Sequence, residues 1–360
     1  MDKAALVLVG PCASVSVLVL PPLPAYHLLH AMKTKILVTG ALGQIGSELV
    51  PALRKRFGAN QVVASDIRMM TREQLLRTEG PFDFLDCTNQ RQIQEVVQRH
   101  EVRTIYHLVA LLSAVGESKP QVAWDINMGS LYRVLEVARQ NNCAVFVPSS
   151  IGAFGPGTPR DNTPQDTIQR PTTMYGVTKV AGELLCEYYF HRFGIDTRGV
   201  RYPGIISHGA PPGGGTTDYA VEIFYEAIRH QHYTCFLKPG TRLDMMYMPD
   251  AVKAAIDIME ADPARLVHRN SFNVTGMNFT PEILAAEIRR HIPGFVIDYK
   301  IDPMRQAIAD SWPTSLDDSA ARTEWGWDPQ FGLPALVRDM LENLEKKLAI
   351  EEQQEQNHAR

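Results

Sequence analysis

The stretch Thr172–Leu185, "TTMYGVTKVAGELL", places Tyr175 four residues ahead of Lys179. On a helix that spacing puts both side chains on one face. A free phenol titrates near 10 and is a poor base at neutrality. A neighbouring ammonium stabilises the phenolate, so the pair could act as a general base. The same two residues on a solvated helix face would do no chemistry, and the pair by itself does not choose.

A second stretch, "VTGALGQIGSELV", carries Gly40, Gly43 and Gly46 after a short apolar run and before a helical pattern. Glycines there let the backbone turn tightly and approach a pyrophosphate, and the helix start supplies N–H donors. Gln44 and Ile45 lie inside the loop. Asp66 follows Gly46 by twenty residues, at the end of a second apolar run. A carboxylate there accepts hydrogen bonds from the adenosine ribose and repels a 2′-phosphate, which favours NAD over NADP. Ile67 and Arg68 follow it, and Arg68 weakens that preference. Asp86 in "FLDCTN" could contact adenine through its side chain and Cys87 through its backbone, or Asp86 could cap the following helix. With a dinucleotide on the same sheet, Lys179 and a positive nicotinamide ring would together favour the Tyr175 phenolate.

These residues need a scaffold. "KILVTG", "QVVASD", "FDFLDCTN", "TIYHLVA", "AVFVPSS" and "DTRGVRYPGII" read as short buried strands. Helical patterns separate most of them, including "QVAWDINMGSLYRVLEVARQNN" and "YGVTKVAGELLCEYYFHRFG". Strands alternating with helices predict an α/β fold with a Rossmann-type, doubly wound parallel sheet. After about Ser207 the rhythm changes to a Gly/Pro-rich loop and mixed short elements. The expected organisation is a leader over 1–33, an NAD-binding domain over 34–206 completed by later crossover segments, a smaller substrate-binding lobe over 207–342, and a polar tail over 343–360.

Composition excludes several classes. The 360 residues are 45% apolar and 21% charged with a formal charge of −4. That is ordinary for a globular chain, and nucleic acid is not an expected partner. The five cysteines, Cys12, Cys87, Cys143, Cys186 and Cys235, show neither a disulfide framework nor zinc-knuckle spacing. The "HQH" at His230–His232 reads as a surface helix end, and no metal is expected. The first twenty residues are apolar, but Pro11, Pro21, Pro22 and Pro24 break the run, so stable membrane insertion is not expected. Lys3 alone precedes it, which is weak for a secretory signal. A removable or disordered leader, or a start at Met32, is the expectation.

The glycine loop, Asp66, Asp86, "HLVALLSA", Asn127, "PSSIGAFG" and Tyr175-x-x-x-Lys179 together resemble the extended short-chain dehydrogenase/reductases, the family that includes UDP-sugar epimerases. The resemblance spans Lys35 to about Met340. "GGGTTDYAVEIFYEAI", "DMMYMPDAV" and "SWPTSLDDSAARTEWGW" are similar to its L-threonine-oxidising branch. It implies metal-independent, NAD-dependent oxidation of the L-threonine β-hydroxyl to 2-amino-3-oxobutyrate, in threonine catabolism towards glycine and acetyl-CoA, with Tyr175 as base. Ser150, rather than its neighbour Ser149, would hold the substrate hydroxyl. Lys179 would also bind the nicotinamide ribose, and Asn127 would support a water or backbone link to it. Leu108, Val109, Ala110, Tyr202, Pro203 and Ile205 would line the cofactor. Ser113, Thr216, Thr217, Arg160 and Trp312 are the substrate-binding candidates. The resemblance further implies a homodimer through the two long helices and, from eukaryotic relatives, a mitochondrial location, with the cytoplasm as alternative. Two other readings share the scaffold: a nucleotide-sugar epimerase or dehydratase, and a non-enzymatic NAD-binding redox sensor.

Overall fold

The computed structural model describes residues 35–71, 79–213 and 215–358. The leader, and with it the expectation about targeting, lies outside the described residues. Among them no helix is long and apolar enough to cross a membrane.

The first half alternates as the sequence predicts. Strand β1 (Lys35–Thr39) leads into α1 (Gly46–Phe57), then β2 (Val62–Asp66), β3 (Phe82–Phe84), α2 (Gln90–Arg99) and β4 (Val102–His107). A short helix α3 (Ser113–Ser118) and the long α4 (Pro120–Asn141) follow, then β5 (Ala144–Phe146), β6 (Ser149–Ser150) and α5 (Met174–Phe193). Strands β7 (Thr197–Arg198), β8 (Val200–Tyr202) and β9 (Gly204–Ile206) close this half. The main sheet has six strands in the order β3-β2-β1-β4-β5-β7, and every pair in it is parallel. This is the expected Rossmann-type sheet. Its order reverses between β1 and β4, and such a switch point opens a crevice at the carboxyl ends of the strands.

Two stretches read as single strands are broken. "AVFVPSS" divides at Val147–Pro148 into β5 and β6, and "DTRGVRYPGII" divides at Gly199 and Pro203 into β7, β8 and β9. Proline has no N–H to donate to a ladder. The pieces join different sheets: β6 pairs with β8, which also pairs with β12 (Phe272–Asn273), while β9 pairs with β11 (Leu243–Tyr247). The chain therefore leaves the main sheet just where Ser149 and Ser150 must be presented.

The second half adds α6 (Tyr219–His230), β10 (His232–Cys235), α7 (Met248–Glu260), β13 (Met277–Phe279), α8 (Pro281–Arg289), β14 (Val296–Tyr299), α9 (Pro303–Ser311), α10 (Ser319–Trp325) and α11 (Leu333–His358). One apolar cluster joins Ile36, Val38 and Leu49 to Met246, Ala251, Trp325 and Trp327, so late chain completes the core beneath the glycine loop. Another unites α6, β11, α8 and α11 with Ile151 and Phe154, just after Ser150. The stretch read as a polar tail stays helical to His358. Leu341, Leu344 and Leu348 are buried and recur at helical spacing, so packing supports this helix as far as Leu348.

Candidate active site

The glycine loop is built by close backbone approach. Gly40 has φ +72°, and a Cβ on Gly46 would stand 2.5 Å from the Gly40 carbonyl oxygen and 2.7 Å from Ala41. Gly43 N donates to Gly40 O at 3.0 Å, and Ser47 N to Gly43 O at 3.0 Å. Ile45, at the N-cap of α1, supplies no side-chain cap. Ser47 N and Glu48 N are taken up by the Gly43 and Ile45 carbonyls, so an anion would meet the backbone of the turn that leads into α1. Gln44 and Ile45 are half-buried in this turn.

Asp66 is buried at the end of β2. Its carboxylate accepts from Leu42 N at 3.0 Å, within the glycine loop, and from Arg68 N and Nε at 3.0 Å each. Burial alone would raise this carboxyl, but the bonds from Arg68 and Leu42 outweigh it and hold it below its ordinary value. The anion is therefore secured beside the loop. Ile67 is 60% exposed next to it. Asp86 lies beyond β3, and its carboxylate accepts from Thr88 N at 2.8 Å. Asn89, not Asp86, caps α2. Cys87 is buried, and burial pushes its thiol up to about 12, against a hydrogen bond with Thr39. Leu108 N donates to Thr39 O at 3.1 Å. With Val109 and Ala110, Leu108 forms a half-buried wall at the exit of β4.

Around Tyr175 several elements converge. The ring lies against Gly152: a Cβ there would be 3.1 Å from Tyr175 Cε1 and 3.4 Å from Ser150 Oγ. Ser150 Oγ accepts from Gly152 N at 3.1 Å and the residue is half-exposed. Ser149 is buried and donates its hydroxyl to Glu183. Lys179 Nζ stands 5.4 Å from the Tyr175 ring centroid and donates to Pro148 O at 2.7 Å. Asn127 is buried on α4. It donates to Thr178 Oγ1 at 3.1 Å and accepts from Leu111 N at 2.7 Å. It thus braces the residue before Lys179.

The substrate-side candidates separate. Ser113 is buried at the start of α3. Thr216 is buried, and its hydroxyl has no partner among the described residues, an unmet polar group of the sort a ligand satisfies. Thr217 packs its Cβ and methyl against Gly204. Arg160 has an exposed side chain, and its carbonyl accepts from Thr314 N at 2.8 Å. Trp312 is buried in the cluster that includes Ile151 and Phe154. The Tyr202 hydroxyl donates to Ala251 O at 2.6 Å inside the core, which leaves its backbone as the part that could meet a cofactor. Pro203 is buried and Ile205 half-buried after it. In the "HQH" stretch, His232 Nε2 pairs with Asp298 Oδ2 at 2.8 Å on the surface.

Three polar residues were missed from the sequence. His107 bridges Thr39 Oγ1 at 2.9 Å and Ser130 Oγ at 3.1 Å, tying β1, β4 and α4. Burial, aided by the Lys179 charge, pushes it down to about 3 and keeps it neutral. Nothing in "TIYHLVA" signals this. Glu183 and Arg201 form a buried ion pair of 2.9 Å. The signal for Glu183 was present, since it continues the four-residue spacing of Tyr175 and Lys179.

Comparison with known proteins identifies the family. The sequence profile of the NAD dependent epimerase/dehydratase family matches residues 36–275. A Staphylococcus aureus protein of strain USA300, named only as an uncharacterized epimerase/dehydratase, is 54% identical over 313 residues, 87% of this chain and 97% of its own length. The crystal structure of L-threonine dehydrogenase from Clostridium difficile is 53% identical with a TM-score of 0.85, covering 88% of this chain and 98% of that one. A monomeric L-threonine 3-dehydrogenase of metagenomic origin is 43% identical with a TM-score of 0.82, covering 86% of this chain and 99% of its own.

Proposed function

This chain belongs to the NAD dependent epimerase/dehydratase family, and from that premise we propose that it oxidises the β-hydroxyl of L-threonine to 2-amino-3-oxobutyrate, towards glycine and acetyl-CoA. Its cofactor is NAD and it is an oxidoreductase. The observation that carries the proposal is that Tyr175 meets Ser150 at Gly152 and has Lys179 Nζ 5.4 Å from its ring centroid. The choice of threonine is supported by the name of the Clostridium difficile relative and by the unpaired, buried Thr216 hydroxyl.

The turn from Gly40 to Gly46 suits a pyrophosphate, because Gly40 takes φ +72° and Gly46, without a Cβ, lets the start of α1 close onto Gly40 and Ala41. Asp66 suits the adenosine ribose and Lys179 the nicotinamide ribose, with Pro203 and Ile205 at the nicotinamide side. When bound, NAD supplies the hydride acceptor. Ser150 holds the substrate hydroxyl in place, and Tyr175 accepts its proton. Lys179 keeps positive charge beside the phenolate, and Asn127 braces the helix turn before Lys179 through Thr178. Thr216 and Ser113 serve the amino-acid end of the substrate.

The direct test mixes the protein with NAD⁺ and L-threonine and follows NADH absorbance. The expected result is NADH formation that depends on L-threonine. The reading fails if folded, NAD-binding protein gives none, or if UDP-glucose raises the melting temperature and L-threonine does not.

We also propose a homodimer through α4 and α5. Val177, Leu184 and Tyr188 form one exposed stripe on α5, and Trp124 and Tyr132 are exposed on α4. Large apolar side chains gathered on a surface mark an interaction site. In sedimentation velocity the wild type should run as a dimer, and the double variant Leu184→Glu, Tyr188→Glu as a monomer that still binds NAD. A wild type sedimenting as a monomer, the state named for the metagenomic relative, removes this part of the proposal.

A further inference from the structure

Tyr175, Lys179 and Glu183 recur every four residues along α5, and each meets the segment 148–152. The Tyr175 ring rests on Gly152, Lys179 donates to Pro148 O at 2.7 Å, and Glu183 accepts the Ser149 hydroxyl. The first two belong to the site already described. Glu183 has no part assigned there: it is buried, at the inner end of the cavity that Asn127, Ser149 and Lys179 also line.

Its carboxylate is nevertheless a junction. Arg201 Nη2 donates to Glu183 Oε2 at 2.9 Å and Nε to Oε1 at 3.1 Å. Arg201 is the cross-strand neighbour of Ser149 in the β6–β8 pair, which is why both reach the same acid. Gln169 Nε2 donates to Glu183 Oε2 at 2.8 Å. Arg201 continues through Nη1 to Gln165 O at 2.8 Å and Asn273 Oδ1 at 3.1 Å. Asn273 Nδ2 then holds Thr163 O at 3.1 Å and Asp317 O at 3.2 Å. One acid thus links the helix carrying Tyr175, the two-residue strand carrying Ser150, and the loop 163–169.

A buried carboxylate with this many donors could be explained as a structural ion pair, but a structural pair needs no contact with the residue beside Ser150. Strand β6 has only two residues, so its ladder alone holds it weakly. The orientation of Ser150 depends on what Ser149 grips. We propose that Glu183 is a positioning residue for the reaction, setting the Ser150 hydroxyl against Tyr175 through Ser149 and coupling both to the loop 163–169 through Gln169 and Arg201. This rests on the reading of Ser150 and Tyr175 given above.

The test uses two variants of the full-length protein, neither of which strands a buried charge: Ser149→Ala and Gln169→Ala. For Ser149→Ala we expect kcat with L-threonine to fall about tenfold, because small displacements of reacting groups are costly. The KM for L-threonine and the NAD affinity should stay within about twofold. Ser149→Thr, which restores the hydroxyl, should recover most of kcat. A purely structural role would lower thermal stability without separating kcat from KM and without rescue. In parallel, amide hydrogen exchange should rise over 149–155 in Ser149→Ala and over 163–170 in Gln169→Ala, with β1 and β2 unchanged. The proposal is overturned if kcat of Ser149→Ala stays within about twofold of wild type, or if neither segment exchanges faster. If the wild type does not oxidise L-threonine, the proposed substrate fails by that measurement, and the exchange experiment still decides whether Glu183 holds these two segments.

Discussion

Tyr175→Phe is expected to lower the rate of L-threonine-dependent NADH formation at least about a hundredfold, the usual range for losing a general acid–base. Phenylalanine keeps the ring that rests on Gly152, where Tyr175 Cε1 lies 3.1 Å from an added Cβ, so packing and fold should survive. It removes only the oxygen proposed to take the substrate proton. Calorimetric titration should give an NAD affinity within about twofold of wild type, since an interaction made only in the transition state changes kcat and leaves ground-state binding alone. A rate within about tenfold of wild type would remove Tyr175 from the base role. The same experiment separates an enzyme from a cofactor-binding sensor, whose function would not respond to a lost hydroxyl.

The second large effect is expected at Gly46. A Cβ on this residue would meet Gly40 O at 2.5 Å and Ala41 Cα at 2.7 Å. Both are backbone atoms on the strand-to-helix turn, so no side-chain rotation relieves the clash. Gly46→Ala must therefore push α1 away from β1 and widen the loop, at about 1–3 kcal/mol in stability, typical of overpacking. Because the backbone of the turn that leads into α1 moves with the helix, NAD affinity should drop by at least about tenfold, in line with displaced backbone donors. Thermal unfolding and NAD titration measure both effects. Gly157→Ala is the control: no atom lies within 4 Å of its added Cβ and it lies outside the loop. Unchanged NAD affinity in Gly46→Ala would falsify the assignment of the turn.

Much of the candidate chemistry is legible in the sequence because it is local. The glycine spacing, Asp66 at a strand end and the Tyr175–Lys179 pair are each set within one strand-turn-helix or one helix, where backbone periodicity decides what shares a face. Parallel strands buried on both faces leave apolar runs that name the sheet and its hand. The resemblance to a family added roles for Ser150, Asn127 and Thr216 that spacing does not carry.

What the sequence by itself determined was therefore the α/β class, the cofactor loop and the helix that holds Tyr175. Only the tertiary structure decided how long-range partners distribute polar groups. It splits two apparent strands at Pro148 and Pro203 and sends the pieces to different sheets. It commits the Tyr202 hydroxyl to Ala251 in the core and gives Asn127 to Thr178 and Leu111. It also sorts the two adjacent serines, Ser149 towards Glu183 and Ser150 towards Gly152 and Tyr175. The physical reason is the same in each case. A buried polar group must find a partner, and residues such as Arg201, Asn273 and His107 find theirs far along the chain, at separations no local pattern encodes.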